Sequence, residues 1–463
     1  MTPSERQATT MAVHTNLLSR LLGTQHDRAF PARHRWLFGS FGVNTAAQFM
    51  FTSVLAVQLH RQGIAPLGIG VVMLLFLVSM RCMGPVCGAL VDAYGPRACL
   101  TLSTALSVVG YGATGLAHEV WHHGASLTLL GFGRGLDAVC RSTLLVQVSA
   151  TKEEGSRALA FNYVVFNLAA SCGPLLSSAA IACGVPLQAL HGLAALTCLT
   201  TGASLVLRFP FPARVLGPSD GRPSFRGLAG AWADRRFRSL VLVLPMIWFL
   251  FSLMHVIVPV LLMEGAGTSA SAVSAMFSLN AAMVVLLGYR INRWMVRFHE
   301  ERGRSKLDGV AIGAACMGLA LFSLGAAAWL PNATPLLFMA LFTLGELCFV
   351  PIVQVLVNES IQARGATPGP YFGLAMLAWG VGGGASNVLG GLVIELCRTY
   401  GFVLFPAVFG VTSLIVAAVF WRLSNSWTRA AGKVDAEEVR RGTAGLDGIS
   451  VSTLFPCDDK RSS

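Results

Sequence analysis

The chain has 463 residues, of which 54% are apolar and only 12% charged, with a formal net charge of +12. Soluble domains carry about 25% charged residues, and disordered chains are poor in apolar ones. A soluble enzyme, a disordered protein and a single-anchor receptor are therefore excluded, and the apolar content suffices for roughly twelve crossings of about 20 residues each.

Residues 1–35 are polar and basic and contain no short apolar stretch of signal-peptide form. The first span is therefore expected to act as its own insertion signal. Apolar runs of spanning length follow at 36–59, 67–91, 98–118, 126–149, 158–181 and 188–207. After a polar gap come 239–263, 272–289, 309–330, 336–357, 371–394 and 402–422. All are expected to be helices, because an unpaired strand edge does not survive in hydrocarbon. The predicted organisation is an N-terminal segment (1–35), a six-helix bundle (36–207), a central loop (208–238), a second six-helix bundle (239–422) and a tail (423–463) expected to be disordered. Within the central gap, 224–238 reads either as a basic interfacial helix or as a plain linker.

The charge distribution sets the expected orientation. Of 34 Lys and Arg, 29 fall on the side shared by the termini, two (Arg61 and Arg398) on the other, and three inside spans. This is a positive-inside pattern, which places both termini and the central loop in the cytoplasm of a cell (plasma or inner) membrane protein. The net charge then reflects topology, with membrane lipid rather than nucleic acid as the partner. The eleven cysteines fall mostly in apolar runs with no Cys-x-x-Cys pair, and read as buried thiols rather than disulfides or a zinc site. No G-x-x-x-x-G-K-[ST] phosphate loop occurs. No cofactor and no resident metal are expected, and the chain is expected to be monomeric.

The halves echo each other. Gly88-x-x-x-Asp92 follows the second span and Gly288-x-x-x-Asn292 the eighth. Span four carries Arg134-Gly135-Leu136-Asp137 and span ten Gly345-Glu346-Leu347. Spans five and eleven are rich in small residues around Gly173 and Gly382-Gly383-Gly384. A duplicated six-helix unit with a site at the midplane interface is a transporter architecture.

The stretch Gly88-Ala89-Leu90-Val91-Asp92-Ala93-Tyr94-Gly95-Pro96-Arg97 resembles the loop motif of the major facilitator superfamily, which lies between spans two and three. Ala93 and Pro96 stand where that motif usually has basic residues. The resemblance implies a latch between the halves formed by Gly88, Asp92, Gly95 and Arg97. Span five holds Ala169-x-x-x-Gly173-Pro174-x-x-Ser177-Ser178, which resembles the antiporter motif of the drug:proton exporters in that superfamily, with Ala and Ser at three glycine positions. A generic proline kink accounts for Pro174 equally well. The implied fold is an all-α membrane protein with twelve transmembrane helices in two pseudo-symmetric six-helix bundles, and the implied cavity is lined by spans one, four, seven and ten.

Charges inside spans are informative, because each costs several kcal/mol unless paired or hydrated. Arg134, Asp137 and Arg141 share one face of span four at helical spacing. They read either as cavity residues or as an ion-pair ladder holding that span to its neighbours. Glu346 sits about ten residues into span ten, near the midplane, with no basic residue in its own span. A midplane acid without a cation pays desolvation when ionised and can exchange protons near neutrality, so Glu346 is the first candidate for proton coupling and Asp137 the second. Asn44, Gln48, Arg134, Arg141, His255 and Gln354 are the candidate lining of a substrate cavity, while lone helix histidines such as His255 are more often packing residues. Trp248 and Trp379 read equally as lining and as core.

One enzyme reading competes. His118-Glu119-Val120-Trp121-His122 matches H-E-x-x-H, a zinc-protease pattern, and Leu307-Asp308-Gly309 and Leu446-Asp447-Gly448 match a possible third-ligand segment. The predicted topology puts these on opposite sides of the bilayer, beyond reach of one ion, so no catalytic role is expected. The favoured expectation is a secondary active transporter that exports a small organic molecule by alternating access, driven by protons. The alternatives are a solute:proton importer of the same fold and, more remotely, a non-transport receptor or assembly protein.

Overall fold

The computed structural model describes residues 30–64, 66–211, 226–255 and 257–446. The first half comprises α1 (Ala32–Arg61), α2 (Pro66–Arg81), α3 (Gly84–Leu116), α4 (Val120–Gln147), α5 (Lys152–Ala182) and α6 (Leu187–Arg208). A short α7 (Arg226–Ala233) leads into the second half. There follow α8 (Arg235–Leu253), α9 (Ile257–Gly265), α10 (Ala270–Arg302), α11 (Leu307–Ser323), α12 (Thr334–Arg364), α13 (Pro368–Tyr400) and α14 (Leu404–Leu446).

Among the described residues, nine helical stretches are long and apolar enough to cross a membrane. One of them, Val71–Leu116, is two crossings, because Gly95 at φ 79° breaks α3 and Pro96 reopens it as span three. Two helices escape that apolar test because they carry the polar groups of the interior. α1, of 30 residues, holds Asn44 and Gln48, and α4, of 28 residues, holds Arg134, Asp137 and Arg141. Both exceed the length of about 20 residues a crossing needs. Spans two and seven are each built from two pieces, α2 with the start of α3 and α8 with α9. The interruptions fall at Cys82–Met83 and at Met254–His255.

Local chemistry sets the ends. Thr151 caps α5 by accepting from Glu154 N at 3.1 Å, and Asp234 caps α8 by accepting from Arg236 N and Phe237 N. Such caps satisfy amides that no helical carbonyl can reach. α12 stops at Gly365, whose left-handed φ of 58° suits a residue without Cβ. The last helix continues beyond 422 to Leu446, where the sequence reading expected an unstructured tail from 423. Its first turn beyond 422 still packs on the core through Leu423 and Trp427. Of the segment 224–238, the described part, 226–238, forms α7 and the start of α8 rather than a plain linker. The first 29 residues, 212–225 of the central loop and the tail from 447 lie outside the described residues.

In the first half α1 packs on α5 and α6, α2 on α4, and α3 on α4 and α6; in the second, α8 packs on α13, α10 on α12, and α11 on α12 and α14. The halves meet where α13 crosses α3 and where α10 and α12 meet α5. The apolar core shows how far this contact reaches. At the end carrying α7 and the basic loops, hereafter the basic face, the first half shares one continuous core with the second, including Leu37, Val91, Leu144, Phe237 and Phe349. At the opposite face the first half closes on itself, around Phe51, Leu59, Phe76, Tyr111 and Leu127. The halves are thus joined at the basic face and separate towards the other.

Candidate functional site

Span four carries a complete ion-pair ladder. Asp137 Oδ2 accepts from Arg141 at 2.5 Å and lies 3.5 Å from Arg134. Arg134 Nε donates to Gln48 Oε1 at 2.8 Å and Arg141 donates to Thr45 at 2.9 Å, so both arginines tie α4 to α1. The Arg141 guanidinium also sits 4.5 Å from the Phe41 ring centre. All three charged groups are buried. The structure therefore places Arg134, Asp137, Arg141 and Gln48 in a seam inside the first half. Asn44, next in α1 to Thr45, is buried, and its Oδ1 has no partner among the described residues.

Glu346 occupies a different setting. It is 1% exposed on α12, and the sequence reading gives it no partner. The structure gives it two, and both are neutral. Tyr163 of α5 donates its hydroxyl to Oε1, and Asn280 of α10 donates to Oε2 at 2.7 Å. Asn280 also reaches Thr343 Oγ1 at 3.0 Å. One buried carboxyl thus joins three helices from both halves, with no cation among its described partners. Gln354, two turns further along α12, is half-buried, and its Oε1 has no partner among the described residues.

Towards the basic face the seam is closed by glycine contacts. A Cβ on Gly373 would lie 2.4 Å from Gly84 O, and one on Gly88 would lie 2.3 Å from Gly369 O. Only residues without side chains allow α3 and α13 this approach. Asp92 closes the crossing by accepting from the Thr367 hydroxyl, at the start of α13, and from Gly369 N. In the turn between spans two and three, burial pushes its carboxyl up to about 6, against the opposing pull of those two donors. Gly95 supplies the break in the turn, while Arg97 is exposed and faces the Phe211 ring at 5.9 Å. Between the basic-face ends of α12 and α5, Asn358 donates to Ser156 at 3.0 Å, again across the halves.

Span five presses on span one at Gly173, where a Cβ would lie 2.6 Å from Met50 N. Pro174 lies inside α5. The echo seen in the sequence is structural, because a Cβ on Gly382 of span eleven would lie 2.3 Å from Pro245 O of span seven. His255 sits at the interruption of span seven, exposed, with its ring 5.1 Å from Phe251. The H-E-x-x-H stretch does not form one helical face. His118 and Glu119 precede α4, and His122 stacks on Trp121 at 3.4 Å. Asp308 lies at the basic face, paired with Arg304 at 2.6 Å, and Asp447 and Gly448 lie outside the described residues.

Sequence reasoning missed Tyr163, Asn280 and Thr367, the partners that give Glu346 and Asp92 their settings. Each is a neutral residue on a helix distant in sequence, and only the packing of the halves brings it near. Arg81, the third arginine inside a span, ends α2 and stacks on Trp379 of span eleven.

The profile described as Major Facilitator Superfamily matches residues 37–369. Among curated relatives, the "Multidrug resistance protein MdtH" of Shigella flexneri is 25% identical over 343 residues, covering 73% of this chain and 80% of that protein. Among solved structures, the human organic anion transporter MFSD10 (TETRAN) superposes with a TM-score of 0.70 at 16% identity, over 84% of this chain and 100% of that one. A bacterial homologue of the iron transporter ferroportin, in an outward-facing state, gives 0.67 at 14% identity, over 85% and 100%. Likeness at such identities is a likeness of fold.

Proposed function

Because the chain belongs to the major facilitator superfamily, a family of membrane transporters and not enzymes, we propose that it exports a small organic molecule by alternating access, driven by inward proton flow. The observation that carries this reading is Glu346, a buried carboxyl held by Tyr163 and Asn280 across the two halves. Ionised, its oxygens accept both hydrogen bonds. Protonation removes the charge and turns one oxygen into a donor, so the bond to Tyr163 reverses or the bond to Asn280 is given up, and neither remains a bond to a charged acceptor. Hydrogen bonds to charged groups are worth about 1.5–3 kcal/mol, enough to bias the association of α5 with α12 several-fold or more. Proton occupancy and the contact between halves are then linked, which is what coupled alternating access requires.

Export is supported by the multidrug resistance relative and by Gly173-Pro174, where span five packs closely on span one. The split of basic residues supports cytoplasmic termini in the inner or plasma membrane. On that orientation the closed basic face is the cytoplasmic one, and the latch of Gly88, Asp92, Gly95 and Thr367 holds it shut. A monomer is the proposed working unit.

The test uses the purified full chain in proteoliposomes with trapped pyranine. Naphthalene-2-sulfonate, 2-naphthoate and tetraphenylphosphonium serve as probes. Export by exchange predicts that a probe gradient drives protons in the opposite direction. Protons moving with the probe would make the chain an importer, and probe movement without protons would remove the coupling.

A further inference from the structure

Among the described residues, Arg81 is a cation without an anion. It ends α2, at the interruption of span two and about midway along that span. Its guanidinium lies 3.5 Å from the centre of the Trp379 ring. Trp379 in turn stacks on Trp248 at 4.2 Å and 10°. The column runs from the first half into the second, and a Cβ on Gly380 would lie 2.9 Å from that of Arg81, so the missing side chain makes room for it.

The contrast with the other intramembrane arginines is sharp. Arg134 and Arg141 share Asp137 and donate to Gln48 and Thr45. Among the described residues, no carboxylate, carbonyl or hydroxyl accepts from Arg81. Its flat face is covered by an indole while its edge, which carries the N–H donors, is unpaired and the side chain is only partly buried. The buried indole N–H of Trp248 also lacks an acceptor among the described residues. An intramembrane arginine costs several kcal/mol unless paired or hydrated. Stacking offsets part of this and fixes the plane in which the five donors point. That plane matches a carboxylate or sulfonate, which a guanidinium binds through two parallel hydrogen bonds.

We propose that Arg81, oriented by Trp379 and Trp248, is the substrate-recognition residue for an organic anion bearing a carboxylate or sulfonate. The proposal rests on the transporter reading above and names its substrate class. The intramembrane charge supports it. Arg81 and the span-four ladder contribute +2, and Glu346 lowers this to +1 when ionised, so the interior is positive in either state and repels lipophilic cations.

The test is equilibrium binding to the purified full chain in detergent, followed by quenching of tryptophan fluorescence, with the same three probes. Wild type is expected to bind 2-naphthoate and naphthalene-2-sulfonate in preference to tetraphenylphosphonium. Arg81→Gln is expected to weaken anion binding at least tenfold and not to weaken binding of the cation, which then meets less repulsion. Arg81→Lys keeps the charge but not the fork, and is expected to fall between the two. It carries the test should Arg81→Gln fail to give a monodisperse protein. Undiminished anion binding by either folded variant, or a wild type that prefers the cation or binds no anion, overturns the proposal. Anion binding that depends on Arg81, in protein that moves no probe in proteoliposomes, would leave this site standing and sink the transport reading instead.

Discussion

The hydroxyl of Tyr163 on α5 donates to the carboxylate of Glu346 on α12, so one residue from each half meets at mid-membrane in a single hydrogen bond. Asn280 completes the pair of donors from α10. This differs in kind from Asp137, whose partners are two arginines on its own helix. The first carboxyl has its partners across the two halves, and the second has its ion-pair partners within one. Two acids at similar depth therefore have different expected phenotypes.

Asp137→Asn should damage the fold before it damages coupling. Removing the charge leaves Arg134 and Arg141 buried without an anion, and breaking a buried pair in this way costs about 3–5 kcal/mol. The expected result is a large fall in membrane yield and in the apparent Tm of the detergent-solubilised protein. A well-folded Asp137→Asn protein that has lost only proton coupling would reverse the roles assigned to the two acids.

The glycine crossing makes a second prediction. A Cβ on Gly373 would lie 2.4 Å from Gly84 O, and backbone atoms of a packed helix cannot swing aside as a side chain can. Gly373→Ala should therefore separate α3 from α13 at the basic face without affecting insertion. Spin labels placed on exposed positions of those two helices should report a longer distance and a population shifted away from the closed state. An unchanged distance distribution would show that the crossing tolerates a methyl group.

How much of this was legible in the sequence differs by feature. The spans, the basic loops and the order Gly88-Asp92-Gly95 are local patterns, and the latch motif pointed to the face where α3 meets α13. Glu346 could be selected by its depth, since position in an apolar run is a one-dimensional property. Its partners could not be. Tyr163 lies 183 positions away, on a helix pressed against span one at Gly173, and a tyrosine in an apolar run carries no signal of its own. The same holds for Arg81. Its sequence neighbours place it in span two, but only the stacking of Trp379 on Trp248 shows which way its donors face. The arginines of span four were open to two readings, and their spacing alone could not separate a ladder within one half from the wall of a cavity.

The latch also predicts a pH dependence. Burial raises Asp92 from 3.8 to about 6 in the closed arrangement, despite its bonds to Thr367 and Gly369. Opening returns the carboxyl to water and to its ordinary value. The closed state then binds the proton more tightly, so closure is favoured as pH falls from about 6 towards 4. That advantage is lost as pH rises through about 6, and two units correspond to about a hundredfold in the closed-to-open ratio. Spin-label distances between α3 and α13 at pH 5 and pH 8 should show more closed protein at pH 5, and Asp92→Asn should flatten the difference. A closed population that grows with rising pH would contradict this sign.

The most direct measurement is proton-driven transport by Glu346→Gln, normalised to protein in the membrane. Glutamine keeps the size of the side chain and an acceptor for Tyr163, but it can neither bind nor release a proton. Reconstituted beside wild type under an imposed pH gradient, Glu346→Gln should lose gradient-driven accumulation of the probe while retaining probe binding and passive exchange. Accumulation at the wild-type level by correctly inserted Glu346→Gln would place the coupled proton elsewhere and contradict the account.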